Sequence, residues 1–326
     1  MPELRTDPLS GLRVIVAGER SERPGAFLPP AKRPPIDVDG DPFAPGHEDH
    51  TPPELDRDGD PWTVRVVPNL FPALAEVVDE GGEDPLASGR GQPELFATRP
   101  AAGAHEVIVN APDSVWSLSE VGPEQVERAM AMWRRRMNAH ADSSYAHLIV
   151  NEGREAGASL PHTHSQLYAL GFVPAQIARE RERFTAYSDR TEGRNLLEDV
   201  LQEEVRRRDR VVAIDAEAVA LCPFAARVPF HFQIVPRRPV ARFSDDGPLG
   251  AGVLHEALVR LGSVLGRLPP LNMWVRTAPR DAERFCWRIE VMPRLAQLAG
   301  LEIGTGVHLN VLAPEDAATR LRGAAL

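Results

Sequence analysis

Asn151-Glu152-Gly153-Arg154-Glu155-Ala156-Gly157-Ala158-Ser159-Leu160-Pro161-His162-Thr163-His164-Ser165-Gln166 is the stretch on which the reading of this chain turns. Gly153 and Gly157 let a backbone turn approach a ligand without a Cβ in the way. Asn151 and Ser159 add short polar groups, and amides freed by such a turn can cradle an anion. Beyond the turn His162, His164 and Gln166 alternate, so an extended segment projects all three from one face. Core strands are not built with three polar side chains on one side. Spacing alone leaves three chemistries open: an H-x-H metal pair, a nucleophilic or acid–base histidine beside a phosphate-binding turn, or structural histidines.

Working outward, β-type runs occur at Val14–Val16, Trp62–Val67, Glu106–Val109 and Ala146–Val150, with His164–Ala169 closing the set. Gly122-Pro123-Glu124 opens a helix carrying Val126, Met130 and Trp133 on one side and ending near Ala141. The order then recurs. A helix over Arg194–Asp209 precedes strands at Val211–Ile214, Ala218–Cys222 and His231–Val235. An amphipathic helix over Leu249–Leu268 leads to strands at Asn272–Arg276 and Cys286–Val291. Strands, a helix and strands, given twice, predict an α+β fold made of a tandem pair of domains, 1–195 and 196–326. Residues 18–62 and about 79–100 are turn-rich loops without periodicity.

Composition removes several mechanisms. The chain has 326 residues, 37 Lys+Arg against 47 Asp+Glu, and a net charge of -10. Lys32 is its one lysine, so no phosphate loop of the G-x-x-x-x-G-K-[ST] type exists and Schiff-base lysine chemistry is improbable. Two cysteines, Cys222 and Cys286, preclude a four-cysteine metal site and read as buried, inert thiols. The net negative charge argues against a nucleic-acid partner. Neither a membrane span nor a secretory signal is visible, so a cytoplasmic location is expected.

The glycine turn and strand, N-x-G-x-x-x-G-x-S-x-x-H-x-H-x-Q, resemble the active-site signature of galactose-1-phosphate uridylyltransferases, within the histidine-triad superfamily. Other segments fit in order. Arg20-Ser21-Glu22-Arg23-Pro24 resembles the family's nucleotide-binding turn, and Val67-Pro68-Asn69-Leu70-Phe71-Pro72 its base-pocket motif. Cys222-Pro223-Phe224-Ala225 and Ile289-Glu290-Val291-Met292-Pro293-Arg294, leading to Gly300-Leu301-Glu302, resemble its second half. The resemblance implies two histidine-triad-like domains and a double displacement. His164 would attack the α-phosphorus of a nucleotide sugar, and His162 and Gln166 would complete the catalytic set. Arg20, Arg23, Asn69, Phe71, Asn151, Gly153, Gly157 and Ser159 would bind the nucleotide, and Glu302 the sugar hydroxyls. A sugar 1-phosphate would be the second substrate, and a homodimer the assembly. Hydrolases of the superfamily carry a third histidine where Gln166 stands; a glutamine cannot titrate, which favours transfer over hydrolysis. A nucleotide-sugar or dinucleoside-polyphosphate phosphorylase using inorganic phosphate, and a non-catalytic nucleotide-sugar binding protein, are the rival implications.

The metal sites depart from the family. Its structural zinc uses a C-x-x-C pair, a downstream histidine and the first histidine of H-x-H. Here those positions hold Asp41, Ala44, Ser114 and His162, leaving one ligand of four. His47, His50 and His105 are the candidates for a rebuilt site. A second metal site in some members uses a glutamate, matched by Glu180, and an H-x-H pair that falls on Cys286-Trp287-Arg288. The expectation is a chain that holds no cofactor, although the resemblance implies zinc for the family. His231, lacking a preceding glycine turn, reads as structural.

Overall fold

A computed structural model of the chain describes residues 1–22, 27, 33–75, 95–96, 98, 100–247 and 249–326. Arg23 of the expected nucleotide-binding turn and most of the 79–100 loop lie outside them. The first half comprises β1 (Glu3–Thr6), β2 (Arg13–Val16), β3 (Asp56–Asp58), β4 (Val64–Pro68) and β5 (Gly103–Val109). Next come α1 (Pro123–Ala139), β6 (Tyr145–Glu152), β7 (His164–Leu170), α2 (Ala175–Arg190) and α3 (Leu196–Arg207). The second half contains β8 (Val211–Ile214), β9 (Ala218–Leu221), β10 (Phe232–Pro236), α4 (Ala251–Val264), β11 (Leu271–Arg276) and β12 (Arg288–Pro293). It ends with α5 (Gly300–Thr305), β13 (His308–Asn310) and α6 (Pro314–Arg322). The expected division at 195/196 falls at Asn195, whose side chain caps α3 through Leu197 and Glu198 N–H groups.

Ten strands form one sheet in the order β3-β4-β5-β7-β6-β11-β12-β10-β9-β8, its pairs antiparallel. Read outward from its centre, the first half runs 6-7-5-4-3 and the second 11-12-10-9-8, the same path taken twice. Each half inserts one helix at the same point, α1 between β5 and β6, α4 between β10 and β11. The α+β architecture is thus two repeats fused through the β6–β11 pair, where Asn151 faces Asn272.

Periodicity explains which face is covered. On α1 Val126, Met130, Trp133 and Met137 are buried; on α4 Leu254, Leu258 and Leu261 are. They pack with Leu148, Val150, Leu167, Met273, Ile289 and Val291 in one core. Because strand side chains alternate, the residues between these point the other way. Gln166, Asn151, Asn272, Trp274 and Glu290 therefore sit on the opposite, polar face. The β1-β2-β13 sheet is separate, with β13 parallel to β2.

Some expected boundaries move. The strand expected from Trp62 begins at Val64, and Trp62 instead packs with Phe43, Val67, Val107 and Val109. The strand expected from Cys286 begins at Arg288, with Trp287 in the core against Phe243 at 5.1 Å.

Candidate active site

Gly153 and Gly157 both have positive φ, +88° and +92°, as the sequence required of a tight turn. A Cβ on Gly153 would lie 2.9 Å from Pro270 Cβ, so the turn also needs glycine for room. The amides of Ala156, Gly157 and Ala158 close it on the Gly153 and Arg154 carbonyls. Those amides are therefore spent, which leaves the Arg154 and Glu155 N–H groups of the turn for other partners. The Ser159 and Leu160 amides, just beyond, make no such bond among the described residues. Asn272, from the second repeat, holds the turn from beneath: its Nδ2 donates to Asn151 Oδ1 at 2.8 Å and to Ala156 O at 2.7 Å. Ser159 is exposed and lines a groove with Arg33, Trp116, Arg154 and Pro270.

His164 opens β7 and is 5% exposed. Its Nδ1–H donates to the His162 carbonyl at 2.8 Å, which fixes the tautomer and leaves the Nε2 lone pair unprotonated. No partner meets that Nε2 among the described residues. Burial holds the ring's pKa below its usual value, against the smaller raising effect of the bond to the His162 carbonyl. A neutral imidazole of fixed tautomer with a free Nε2 is a nucleophile at pH 7.

Gln166, two residues on, is oriented with equal care. His105 Nδ1 accepts from the Ala73 amide at 3.1 Å, so its Nε2 carries the proton and donates to Gln166 Oε1 at 3.0 Å. Burial holds His105 below its usual pKa, in keeping with a neutral ring. Tyr168 Oη donates to the same Oε1 at 3.0 Å, and its ring stacks on His105 at 4.1 Å. With its carbonyl engaged twice, Gln166 turns its NH2 donors outward. His105 is thus a support for Gln166. Asn69 lies beside it, its Nδ2 3.1 Å from His105 Nε2 without a hydrogen bond in this tautomer, and its Oδ1 accepts from the Phe71 amide at 2.9 Å. Phe71 stands 84% exposed beside this cluster.

Behind His164, His162 is fully enclosed. Its Nδ1 lies 2.7 Å from Asp41 Oδ2 and its Nε2 2.8 Å from Ala111 O. Ser114 Oγ donates to the same Asp41 oxygen at 2.6 Å. His47 Nδ1 donates to Asp41 O at 2.7 Å and stacks on the exposed His50. His47, His50 and His105 therefore form no common site. Among the described residues no group of three or more His, Cys, Asp or Glu could hold a metal ion.

Other expected residues lie apart. Arg20 is exposed on a short 3-10 turn, Gly18–Glu22. Glu302 Oε2 accepts from Ala299 N–H at 3.0 Å, capping its own helix α5, which packs on β13. Glu180, matched in sequence to a second metal site, is buried against the Arg288 guanidinium at 3.0 Å.

These elements match known proteins along the whole chain. The family model for the galactose-1-phosphate uridyl transferase N-terminal domain covers residues 1–174. The chain belongs to the galactose-1-phosphate uridyl transferase family. A second family, described only as a domain of unknown function, matches residues 127–324. ADP-glucose phosphorylase of Arabidopsis thaliana is 30% identical over 100% of this chain and 93% of its own. The galactose-1-phosphate uridylyltransferase of Thermotoga maritima is 29% identical over 99% and 98%. A crystal structure of the Arabidopsis ADP-glucose phosphorylase with bound ADP-glucose superposes with a TM-score of 0.82 at 28% identity, covering 100% of both chains. This member of the family is accordingly an enzyme of the transferase and phosphorylase group.

The repeat register shows what became of the site's counterpart. Gln166 pairs with Val107 and Ile149; Glu290 pairs with Gln233 and Trp274 in the matching strands. On this register His164 corresponds to Arg288, Gln166 to Glu290 and His105 to His231. The contacts correspond too: His231 Nδ1 accepts from the Arg227 amide at 3.2 Å, and its Nε2 meets Glu290 Oε2 at 2.7 Å. His231 thus occupies the supporting place, with no nucleophile beside it.

Proposed function

We propose that the chain transfers a nucleotidyl group from a nucleoside diphosphate hexose, through a covalent intermediate on His164. The observation that supports this most is the free Nε2 of a tautomer-fixed, neutral His164 beside the outward amide of Gln166. The Nε2 lone pair attacks the α-phosphorus and an N–P bond forms. The bond from that phosphorus to the bridging oxygen breaks, and hexose 1-phosphate leaves with the electron pair. An acceptor oxygen then attacks the same phosphorus and the N–P bond breaks, restoring the neutral ring. Sugar phosphate leaves without needing a strong acid, so Gln166, which cannot titrate, suffices to hold phosphoryl oxygens. Ser159, Asn151 and the amides after the turn provide the remaining donors.

For the acceptor, hexose 1-phosphate and inorganic phosphate are the two readings. The second is favoured by the full-length similarity to ADP-glucose phosphorylase and by Glu302, whose carboxylate caps its own helix. Incubation with UDP- and ADP-glucose labelled at the α-phosphorus tests the first step. The expected result is an acid-labile labelled protein that is absent in His164→Ala. Discharge by phosphate, releasing nucleoside diphosphate, identifies a phosphorylase; discharge by galactose 1-phosphate alone identifies a uridylyltransferase. Binding of either donor without labelling makes the chain a non-catalytic binder. The family resemblance also carries a homodimer, which sedimentation equilibrium tests.

A further inference from the structure

The buried cluster behind His164 has the place, but not the chemistry, of a metal centre. Asp41 Oδ2, Ser114 Oγ and His162 Nδ1 meet at 2.6 and 2.7 Å, which are hydrogen-bond separations. Tetrahedral zinc, at ~2.1 Å from each donor, would hold those donors roughly 3.4 Å apart. The second ring nitrogen of His162 faces Ala111 O, and the fourth family position is the buried methyl of Ala44. The donor set does not fit the ion.

We propose that Asp41, Ser114 and His162 form a metal-free clamp that positions His164, replacing by hydrogen bonds the zinc that the family resemblance implies. The clamp is continuous from loop to nucleophile. Phe43 N–H donates to Asp41 Oδ1 at 3.0 Å, which folds the 41–44 loop onto its own carboxylate. Ser114 and His162 bind the other oxygen and join three distant chain segments. The His162 carbonyl then receives the His164 Nδ1–H, so the backbone that the clamp fixes at His162 sets the nucleophile's tautomer. The Phe43 ring closes the assembly, 6.0 Å from His162 and 5.4 Å from His164. Burial pushes the Asp41 carboxyl up, yet the bonds from His162, Ser114 and Phe43 outweigh it and keep the group ionised. The second metal site that the resemblance implies has the same character, between α2 and β12. There Arg288 reaches Glu180 at 3.0 Å and Glu290 at 2.8 Å, so a guanidinium that cannot lose its proton supplies a fixed positive charge.

Asp41 and Ser114 are positioning residues, and their role rests on the reading of His164 as nucleophile. The first experiment does not depend on that reading. Full-length protein from zinc- and iron-supplemented cells is analysed for metals and melted with and without EDTA. We expect below 0.1 metal per chain and an unchanged Tm; stoichiometric metal whose removal lowers Tm overturns the proposal. The second experiment measures the rate of His164 labelling and donor Kd in Asp41→Asn, Ser114→Ala and Ser114→Thr. Labelling should slow 10- to 100-fold in Asp41→Asn and 3- to 10-fold in Ser114→Ala, with Kd within two-fold. Ser114→Thr should restore the rate, and wild-type rates in Asp41→Asn and Ser114→Ala refute the clamp. Should the wild type itself fail to label, nitrogen-15 histidine spectra still decide. The Nδ1–H tautomer of His164 must then be present in wild type and lost in Ser114→Ala, and its persistence in the variant refutes the clamp independently of catalysis.

Discussion

Glu152 follows Asn151 on β6 with its side chain on the opposite, helix-covered face, and it is 1% exposed. Leu118 N–H donates to Oε1 at 2.9 Å, while Oε2 has no partner among the described residues. Burial drives its pKa up from 4.5 to about 7, against the smaller lowering effect of bonds from Ser117 and Leu118. In the unfolded chain the group ionises near 4.5. Between the two values the folded state therefore holds the extra proton. The associated stability is fully present below 4.5 and is lost as pH rises through 7. At ~1.4 kcal/mol per tenfold, the whole change is about 3 kcal/mol, most of it between pH 5 and 8. At ~2.1 cal/mol/K per residue over the chain, this corresponds to roughly 4 °C in Tm. Glu152→Gln keeps the shape and the acceptor for Leu118 but cannot ionise. Its Tm relative to wild type should rise by roughly 4 °C from pH 5 to pH 8 in parallel calorimetric scans. Independent titrations elsewhere cancel in that difference. A difference that stays flat across the range would refute the argument that burial alone controls this carboxyl.

Three further outcomes follow from particular contacts. Tyr168→Phe removes one of two donors to Gln166 Oε1, worth about 1 kcal/mol, so kcat/KM should fall roughly five-fold while the Tm stays within 1–2 °C. Asn272→Ala removes both bonds that hold the glycine turn. Turnover should fall about 10- to 100-fold by steady-state assay, because the Ser159 donors lose their support from the second repeat. Burial pushes Cys286 up to about 12 and Cys222 higher still, so a thiol reagent at pH 8 should label neither in the native chain and both in guanidinium.

Local pattern made α1 and α4 legible but not the 16-residue α2, whose buried side includes the polar Glu180 and Ser188. The Met130–Trp133 stripe and the Gly122-Pro123 start announce α1, and the leucine stripe announces α4. The alternation His164, Gln166 marks β7, and continuing it one step reaches Tyr168, which sequence reasoning stopped short of. β1 and β13 were not legible because they are three or four residues long and gain their partners only through tertiary pairing. The supports of the site were hidden for the same reason: Asp41 and His162, like Asn151 and Asn272, are 121 residues apart. Apolar Cys286-Trp287 imitates a strand because it is buried as a strand would be, although it packs before β12 begins.

The duplicated sheet also shows how the two repeats differ at matching positions. Both keep a histidine at the start of the third strand, braced by a backbone amide and aimed at an acceptor on the neighbouring strand. What differs is the pair that the histidine supports. In the first repeat it aligns a neutral amide next to a ring with a free lone pair, so the polar face stays open to a phosphate. In the second it faces Glu290, held far below the usual carboxylate range despite its burial by Arg288 and His231. Arg288 has no lone pair to give; its Nε and Nη2 bond Glu290 and Glu180, and Nη1 has no partner among the described residues. Such a buried pair adds little over an apolar packing of equal volume, but deleting one partner costs about 3–5 kcal/mol. The second copy is therefore retained as a charge-locked half of the sheet. Through Asn272 it lends the first half support for its glycine turn.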